Sequence, residues 1–274
     1  MPLSGLLLGS RLILGHYKAV ALLFCFIRLE AYICLKLGWS LIMKIYGIIT
    51  GDIVSSREIE AQIRERLFDD IGLLLKELRK EWINSYETYR GDSLQCEAKT
   101  PELALRVALI IRCFLRAYFP DELKPKAQKK GKKAAATKGY FATNFDVRLG
   151  IGIAQVDFIK KNKITTSDGE AFRLSGEALD NLAQATQRLA VKTCNASFNE
   201  QIEAPVMLLD ALIQKWTQNQ AELVLHKLQD KKEDEIAAIL KISQSAVNQR
   251  TKTAQWPAIE KLVLYFEKTV KTIQ

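Results

Sequence analysis

Apolar residues recur with two different spacings along this chain, and the order of these spacings limits the folds open to it. Alternation with a period of two predicts a strand buried on one face, whereas steps of three and four predict an amphipathic helix. Between Ile45 and Thr193 the pattern predicts strand, helix, strand, strand, helix, strand, helix and strand. From Pro205 onward the pattern is helical throughout. We therefore expect an α+β domain over 43–200 and an all-helical domain over 206–274.

The individual elements follow from these spacings and from the turn residues between them. The predicted strands are Ile45–Ile53, Glu87–Tyr89, Leu94–Glu97, Asp146–Phe158 and Arg188–Thr193. The predicted helices are Glu58–Trp82, one that begins at Pro101, Ser167–Gln184, Trp216–Leu228 and Trp256–Val270. This order suits an α+β sandwich with a ferredoxin-like core and helices on one face.

Residues 1–42 differ from the rest of the chain, because they are apolar and basic with almost no acidic residue. Arg28, Glu30 and Lys36 interrupt the apolar run, which makes it a poor membrane span. Met43 stands directly before the first predicted strand, so we expect it to be the native first residue and 1–42 to be an extension of the reading frame. A membrane-associated helix and ordinary soluble helices are the alternatives, and membrane contact is expected only if the segment is native.

The net charge is +9, which suits a nucleic-acid partner or an acidic lipid surface. Much of it lies in one segment, 123–140, which is rich in Gly and Ala. Its seven lysines are Lys124, Lys126, Lys129, Lys130, Lys132, Lys133 and Lys138. We expect a disordered surface insertion, either solvated or in contact with nucleic acid.

Five scattered cysteines and two histidines exclude several classes of site. No CxxC pair occurs, so neither a zinc site nor a disulfide framework is expected, and buried reduced thiols are typical of a cytoplasmic protein. With so few histidines, a Ser-His-Asp arrangement is not expected. His226, within a predicted helix, is interpreted as a surface or packing residue.

The stretch Asp234–Arg250 predicts a helix-turn-helix. The first helix carries an apolar face with a small residue at the point of close approach, formed by Ile236, Ala237, Ile239 and Leu240. Ile242 fills the turn, and Ser243 is placed to cap the second helix. Val247 then points inward. Lys241 stands where Gly often makes the turn, so a mildly strained backbone is expected there.

The outward face of the second helix carries side chains suited to DNA. Amide side chains can pair with adenine edges in the major groove, while Lys and Arg reach phosphate. The candidate DNA-binding residues are Ser243, Gln244, Ser245, Asn248, Gln249, Arg250 and Lys252. A plain helical hairpin used for packing or dimerisation is the alternative.

A second candidate site lies at the end of the first strand. Asp52 and Asp92 are expected to meet at one edge of the sheet, where their carboxylates and the Ile53 carbonyl suit Mg²⁺ held with a nucleotide. The small residues Gly51, Ser55 and Ser56 would leave room for phosphate. The alternative is that both aspartates simply cap turns.

These motifs resemble the class III nucleotidyl cyclase catalytic domain in their order. The motifs are Asp52-Ile53, Gly91-Asp92 and the run Arg148-Leu149-Gly150-Ile151. The resemblance implies nucleotide contacts at Thr88 and Asp180, but Thr88 replaces an adenine-reading Lys. Asp180 and Gln184 stand where the family has a transition-state Asn and Arg, so we expect a degenerate domain.

The whole layout has a closer resemblance, to the bacterial SatD family. It rests on Ile49–Arg57, Ser167–Phe172 and Ser243–Arg250, and extends over almost all of Met43–Gln274. The resemblance implies this architecture and a bacterial origin more than an activity.

The combined interpretation is a cytoplasmic, DNA-binding transcription regulator with a degenerate nucleotidyl-cyclase-like sensing domain. Its expected partners are double-stranded DNA and a second copy in a homodimer. The expected ligand is a nucleotide held with Mg²⁺, and the alternative is that the chain has no cofactor. The alternative is an active, divergent metal-dependent nucleotidyl cyclase or phosphotransferase with an accessory helical domain.

Overall fold

The computed structural model describes residues 44–89, 91–120, 145–160 and 163–273. The apolar segment 1–42 and the lysine-rich segment 123–140 lie outside the described residues, and so do the expectations attached to them. The chain from Lys44 onward forms one compact unit. Within the described ranges, no helix is long and apolar enough to cross a membrane.

The described residues contain five strands and eight α-helices, which confirms the α+β class and the predicted order of elements. The strands are β1 (Ile45–Ile53), β2 (Ile83–Tyr89), β3 (Ser93–Ala98), β4 (Val147–Gln155) and β5 (Leu189–Thr193). The helices are α1 (Ala61–Leu78), α2 (Ala104–Ala117), α3 (Glu170–Ala183), α4 (Ala196–Gln214), α5 (Gln218–Leu228), α6 (Glu233–Leu240), α7 (Gln244–Thr253) and α8 (Trp256–Val270). Pro205 lies inside α4, so the predicted boundary there is not a break in secondary structure.

The strands form one mixed sheet in the order β2-β3-β1-β4-β5. The central strand β1 runs antiparallel to both of its neighbours, whereas β4 and β5 are parallel. The register places Asp52 of β1 opposite Ser93 on one side and opposite Arg148 on the other. The central position of β1 therefore brings the ends of three strands together around Asp52.

One face of the sheet carries the main hydrophobic core. Alternate residues such as Ile49 of β1 and Ile151 of β4 pack in one cluster with α1 and α2. The same cluster continues through α4 and α5 to Phe266 of α8. The sheet and the C-terminal helices therefore share one continuous core.

The other face of the sheet is covered by α3, so the expectation of helices on one face is wrong. Gly150 and Gly152 of β4 make this packing possible, because neither has a side chain to hold the helix away. A Cβ atom at Gly152 would lie 2.0 Å from the carbonyl oxygen of Ala171 in α3. One at Gly150 would lie 2.3 Å from the carbonyl oxygen of Ser175.

Arg112 of α2 is fully buried between two aspartates. Its Nε donates to Asp146 Oδ1 at 2.9 Å and its Nη2 donates to Asp146 Oδ2 at 3.2 Å. Its Nη1 donates to Asp210 of α4. Burial alone would lower the pKa of Arg112, but the two carboxylates raise it above its ordinary value. The ion cluster therefore ties α2 to the start of β4 and to α4.

Two further arginines of α2 reach the C-terminal helices. Arg106 donates to Glu267 of α8 at 2.6 Å and to Asp230, just beyond α5, at 2.9 Å. Arg116 donates to the carbonyl oxygen of Trp216 at 2.7 Å. Because all three arginines are buried, α2 holds the sheet and the C-terminal helices in one arrangement.

The described cysteines partly match the expectation of buried reduced thiols. Cys96 and Cys113 are buried and free, and burial raises the pKa of each to about 12. Cys194 is free but exposed.

Substitution of Gly152 by Ala is expected to destabilise the protein by about 1–3 kcal/mol, because the new methyl group overlaps the backbone of α3. Gly176→Ala, within α3 itself, is the matched control, since a Cβ atom there would meet nothing within 4 Å. We expect that control to stabilise the helix by roughly 0.5–1 kcal/mol. Chemical denaturation of both variants measures the difference, and equal stabilities would contradict the close packing of α3.

Candidate functional site

A short connection joins α6 to α7. α6 ends at Leu240 and α7 begins at Gln244, so three residues make the turn. Lys241 has φ 55° and ψ 43°, which is the left-handed conformation that Gly adopts most easily. Ser243 accepts a hydrogen bond from the Ala246 N–H through its Oγ at 3.2 Å. The predicted cap and the predicted unusual backbone at Lys241 are both confirmed.

A small apolar cluster fixes α7 against its neighbours. Ile236 of α6, Val247 of α7 and Leu223 of α5 are fully buried against one another. Ile242 of the turn packs against the same cluster. The predicted inward direction of Val247 is confirmed, and the opposite face of α7 is consequently turned to solvent.

The solvent face of α7 carries a row of polar side chains. The exposed residues are Gln244, Ser245, Asn248, Gln249 and Lys252, and Ser243 at the cap is exposed as well. Amide side chains at positions 244 and 248 are one helical turn apart, so they lie on the same face. The geometry therefore presents three amide side chains and a cation from one helix.

Arg250 is placed differently from the other predicted DNA-binding residues. Its side chain is 22% exposed, and its Nη1 lies 3.7 Å from Glu222 of α5. That nitrogen is buried and has no hydrogen-bond partner within the described part of the chain. Arg250 thus faces α5 and contributes to helix packing, while Lys252 is an exposed cation of this face.

At the end of β1, the Asp52 carboxylate is engaged by Arg148. The guanidinium of Arg148 donates to both carboxylate oxygens, with Nε 3.0 Å from Oδ1 and Nη2 in contact with Oδ2. Both side chains are about one-quarter exposed. Two parallel hydrogen bonds make this pair stronger than an ordinary surface ion pair. A cation therefore already engages both oxygens of the carboxylate that was expected to bind a metal ion.

Asp92 lies in the turn before β3, one residue before Ser93, which pairs with Asp52. Its backbone carbonyl accepts a hydrogen bond from the Ile53 N–H at 2.9 Å. Its carboxylate accepts from the hydroxyl groups of Ser56 and Ser93, each at 3.1 Å. The sheet thus brings the backbone of Asp92 to the end of β1, but each carboxylate has donors of its own, and the meeting of the two carboxylates stays a prediction. Among the described residues, no group of three or more His, Cys, Asp or Glu could hold a metal ion.

The remaining predicted nucleotide contacts are scattered. Gly51 faces the main core, where a Cβ atom would lie 2.5 Å from Leu149 Cδ2, so packing explains the glycine. Ser55 is exposed in a left-handed conformation with φ 51°. Thr88 on β2 and Asp180 on α3 are exposed. Within the described part of the chain, no hydrogen bond joins Thr88 or Asp180 to the two aspartates.

The sequence patterns did not identify Arg148 as the partner of Asp52. Opposite charges on two strands signal an ion pair when they are directly opposed, but this requires the register to be known. No protein-family model matches the chain, and comparison with curated proteins finds no match.

Substitution of Arg148 by Met is expected to free the Asp52 carboxylate and to create a response to Mg²⁺. Removal of the pair should cost about 1 kcal/mol, because it is partly screened by solvent. Millimolar Mg²⁺ should then raise the melting temperature of the variant more than that of the wild type, as thermal denaturation can measure. Adding Asp52→Asn should remove the response, and equal responses in all three proteins would contradict this account.

Proposed function

We propose that this chain is a DNA-binding transcription regulator that reads DNA through α7. The observation that carries the proposal is the tight α6–α7 turn, which directs the row from Gln244 to Lys252 outward. A second helix held across a first helix by a short turn is the geometry with which helix-turn-helix proteins enter the major groove.

The exposed side chains of α7 suit the two kinds of contact that DNA requires. Gln244 and Asn248 offer a donor and an acceptor that together match the major-groove edge of adenine. Lys252 can contact phosphate, and the capped amino end of α7 at Ser243 and Ser245 offers N–H groups to a phosphate oxygen. Arg250 has no direct role in this arrangement, since it pairs with Glu222.

The charge of the C-terminal helices argues for pairing of two copies. Val206–Gln274 holds ten Lys and Arg against eight Asp and Glu, a net charge of +2. A single copy would release few counterions and bind weakly. A homodimer on two half-sites doubles the contacts, which is the usual solution for helix-turn-helix proteins.

We further propose that the sheet domain is a degenerate nucleotidyl-cyclase-like sensor, as in the SatD-like layout. The first four strands and two helices follow the β-α-β-β-α-β order of a ferredoxin-like unit, which supports this architecture. The pairing of Asp52 with Arg148 favours ligand sensing over catalysis, because Mg²⁺ would have to displace a bidentate guanidinium. The buried arginines of α2 offer a mechanical link from this domain to α5 and α8.

The alternative is an active nucleotidyl cyclase or phosphotransferase, which is favoured by one observation. Asp92 directly precedes β3, and its carbonyl oxygen accepts a hydrogen bond from the N–H of Ile53, the residue after Asp52. With the four nucleoside triphosphates and Mg²⁺ or Mn²⁺, we expect thermal stabilisation without turnover. Turnover that Asp52→Ala abolishes and the exposed-site control Asp69→Ala retains would establish the enzyme instead.

DNA reading by α7 is tested by selection from a pool of random DNA duplexes. The wild type should enrich one sequence motif, and Gln244→Ala with Asn248→Ala should weaken binding to that motif by about tenfold or more through lost base contacts. The control carries Gln62→Ala and Asn219→Ala, which remove two exposed amides on α1 and α5. Affinity is measured by fluorescence anisotropy, and a wild type that enriches no motif would refute the proposal.

A further inference from the structure

The outward side of helix α4 is apolar at its centre. Five apolar side chains on the inner side of this helix are buried in the main core. On the opposite side, Met207 is 47% exposed and Leu208 is 73% exposed. Ala204 and Ala211, one turn before and one turn after them, are exposed as well. Exposed apolar residues that are neighbours on one face mark an interaction site, whereas singly scattered ones do not.

Opposite charges flank this apolar centre. Glu200 lies one helical turn before Ala204, and Lys215 lies one turn after Ala211. Lys215 keeps the right-handed helical conformation, so the outward side continues to it. Both charged side chains are exposed, and neither has an ion-pair partner within the described ranges. We use the name α4 face for the six outward residues Glu200, Ala204, Met207, Leu208, Ala211 and Lys215.

The spacing of the α4 face is the same in both directions along the helix. Its midpoint lies between Met207 and Leu208, and Glu200 lies as far before this midpoint as Lys215 lies after it. The two alanines are likewise equidistant from the midpoint. At about 100° per residue, each of these three pairs is spread evenly about one direction, which points away from the buried side. A two-fold rotation about that direction therefore returns the α4 face to itself with the chain direction reversed.

We propose that two copies of this chain pair through the α4 face, with their α4 helices antiparallel about a two-fold axis. Met207 of each copy would then contact Leu208 of the partner subunit, and Ala204 would lie opposite the partner's Ala211. The alanines let the two helix backbones approach closely, while the larger side chains fill the centre of the contact. This pairing rests on the proposed homodimer and names the surface through which it forms.

The charges favour a second copy in this orientation. Antiparallel pairing places Glu200 beside the partner's Lys215 twice in each dimer, whereas parallel pairing would place like charges together. The α4 face thus carries its own complement. Tyr265 of α8, whose hydroxyl group donates to Gln201 of α4 at 3.3 Å, is 42% exposed beside this face and enlarges the contact. Because this contact is smaller than the roughly 800 Å² per partner of a standard interface, we expect a dissociation constant on the order of 10 μM.

Sedimentation equilibrium of the full-length protein without DNA tests the pairing. Over about 1–100 μM protein, the wild type should change from monomer to dimer. Leu208→Glu should weaken the dimer by about tenfold or more, because it would bury two carboxylates at the centre of the contact. Leu73→Glu is the matched control, since Leu73 is 62% exposed on α1 and the same change there should leave the dimer intact. The melting temperatures of both variants show whether the fold is retained.

Charge reversal tests the antiparallel orientation. Glu200→Lys or Lys215→Glu alone places like charges opposite each other at two points, and each should weaken the dimer by about fivefold or more at low ionic strength. The variant with both changes restores opposite charges and should recover the wild-type dissociation constant. The two residues are about 22 Å apart along one helix, so this recovery must arise between the two copies.

A wild type that stays monomeric over this concentration range would overturn the proposal, and so would equal dissociation constants for the wild type and Leu208→Glu. A double charge reversal as weak as the single ones would overturn it too. A monomer whose melting temperature falls with Leu208→Glu but not with Leu73→Glu would assign the α4 face to another segment of the same chain instead. Because these samples contain no DNA, a failure of α7 to bind DNA would leave the result unchanged and is detected separately by the DNA selection.

Discussion

The buried guanidinium of Arg112 is the interaction on which the rest of the structure depends. A charged group without solvent is tolerated only when it is fully paired, and Arg112 finds its partners in Asp146 and Asp210. These two aspartates belong to different parts of the chain, one before β4 and the other on α4. Any arrangement that separated α2 from either would leave an uncompensated buried charge, which typically costs about 3–5 kcal/mol. The cluster therefore selects one arrangement of helices against the sheet.

This constraint gives α7 a fixed position relative to the sheet. Arg106 and Arg116 of the same helix reach α8 and the turn before α5. α5 in turn holds α7 through Leu223 and Val247. Buried contacts therefore connect α2 to the turn before α5, and α5 to α7. The sequence pattern predicts a separate helical domain after Pro205, but these helices share the hydrophobic core of the sheet.

The sequence predicted the local features of the candidate DNA-binding site well. Ser243 caps α7, Lys241 takes a left-handed conformation and Val247 points inward, since each depends on residues within one or two helical turns. Arg250 was assigned to the DNA face, but it turns towards Glu222. Its direction depends on α5, which lies more than twenty residues earlier, and helical spacing within α7 carries no information about that neighbour.

The sequence by itself determined the kind and order of the elements. The spacing of apolar residues is a local property, and it decides whether a helix or a strand places them on one face. It also predicted that Asp92 lies near the end of the first strand, where its carbonyl oxygen accepts a hydrogen bond from Ile53. The tertiary structure alone decided that Arg148 engages Asp52 and that Gly150 and Gly152 admit α3 to the second face. Each of these depends on which residues become opposed across strands or layers, and that register is set by the packing of the whole core.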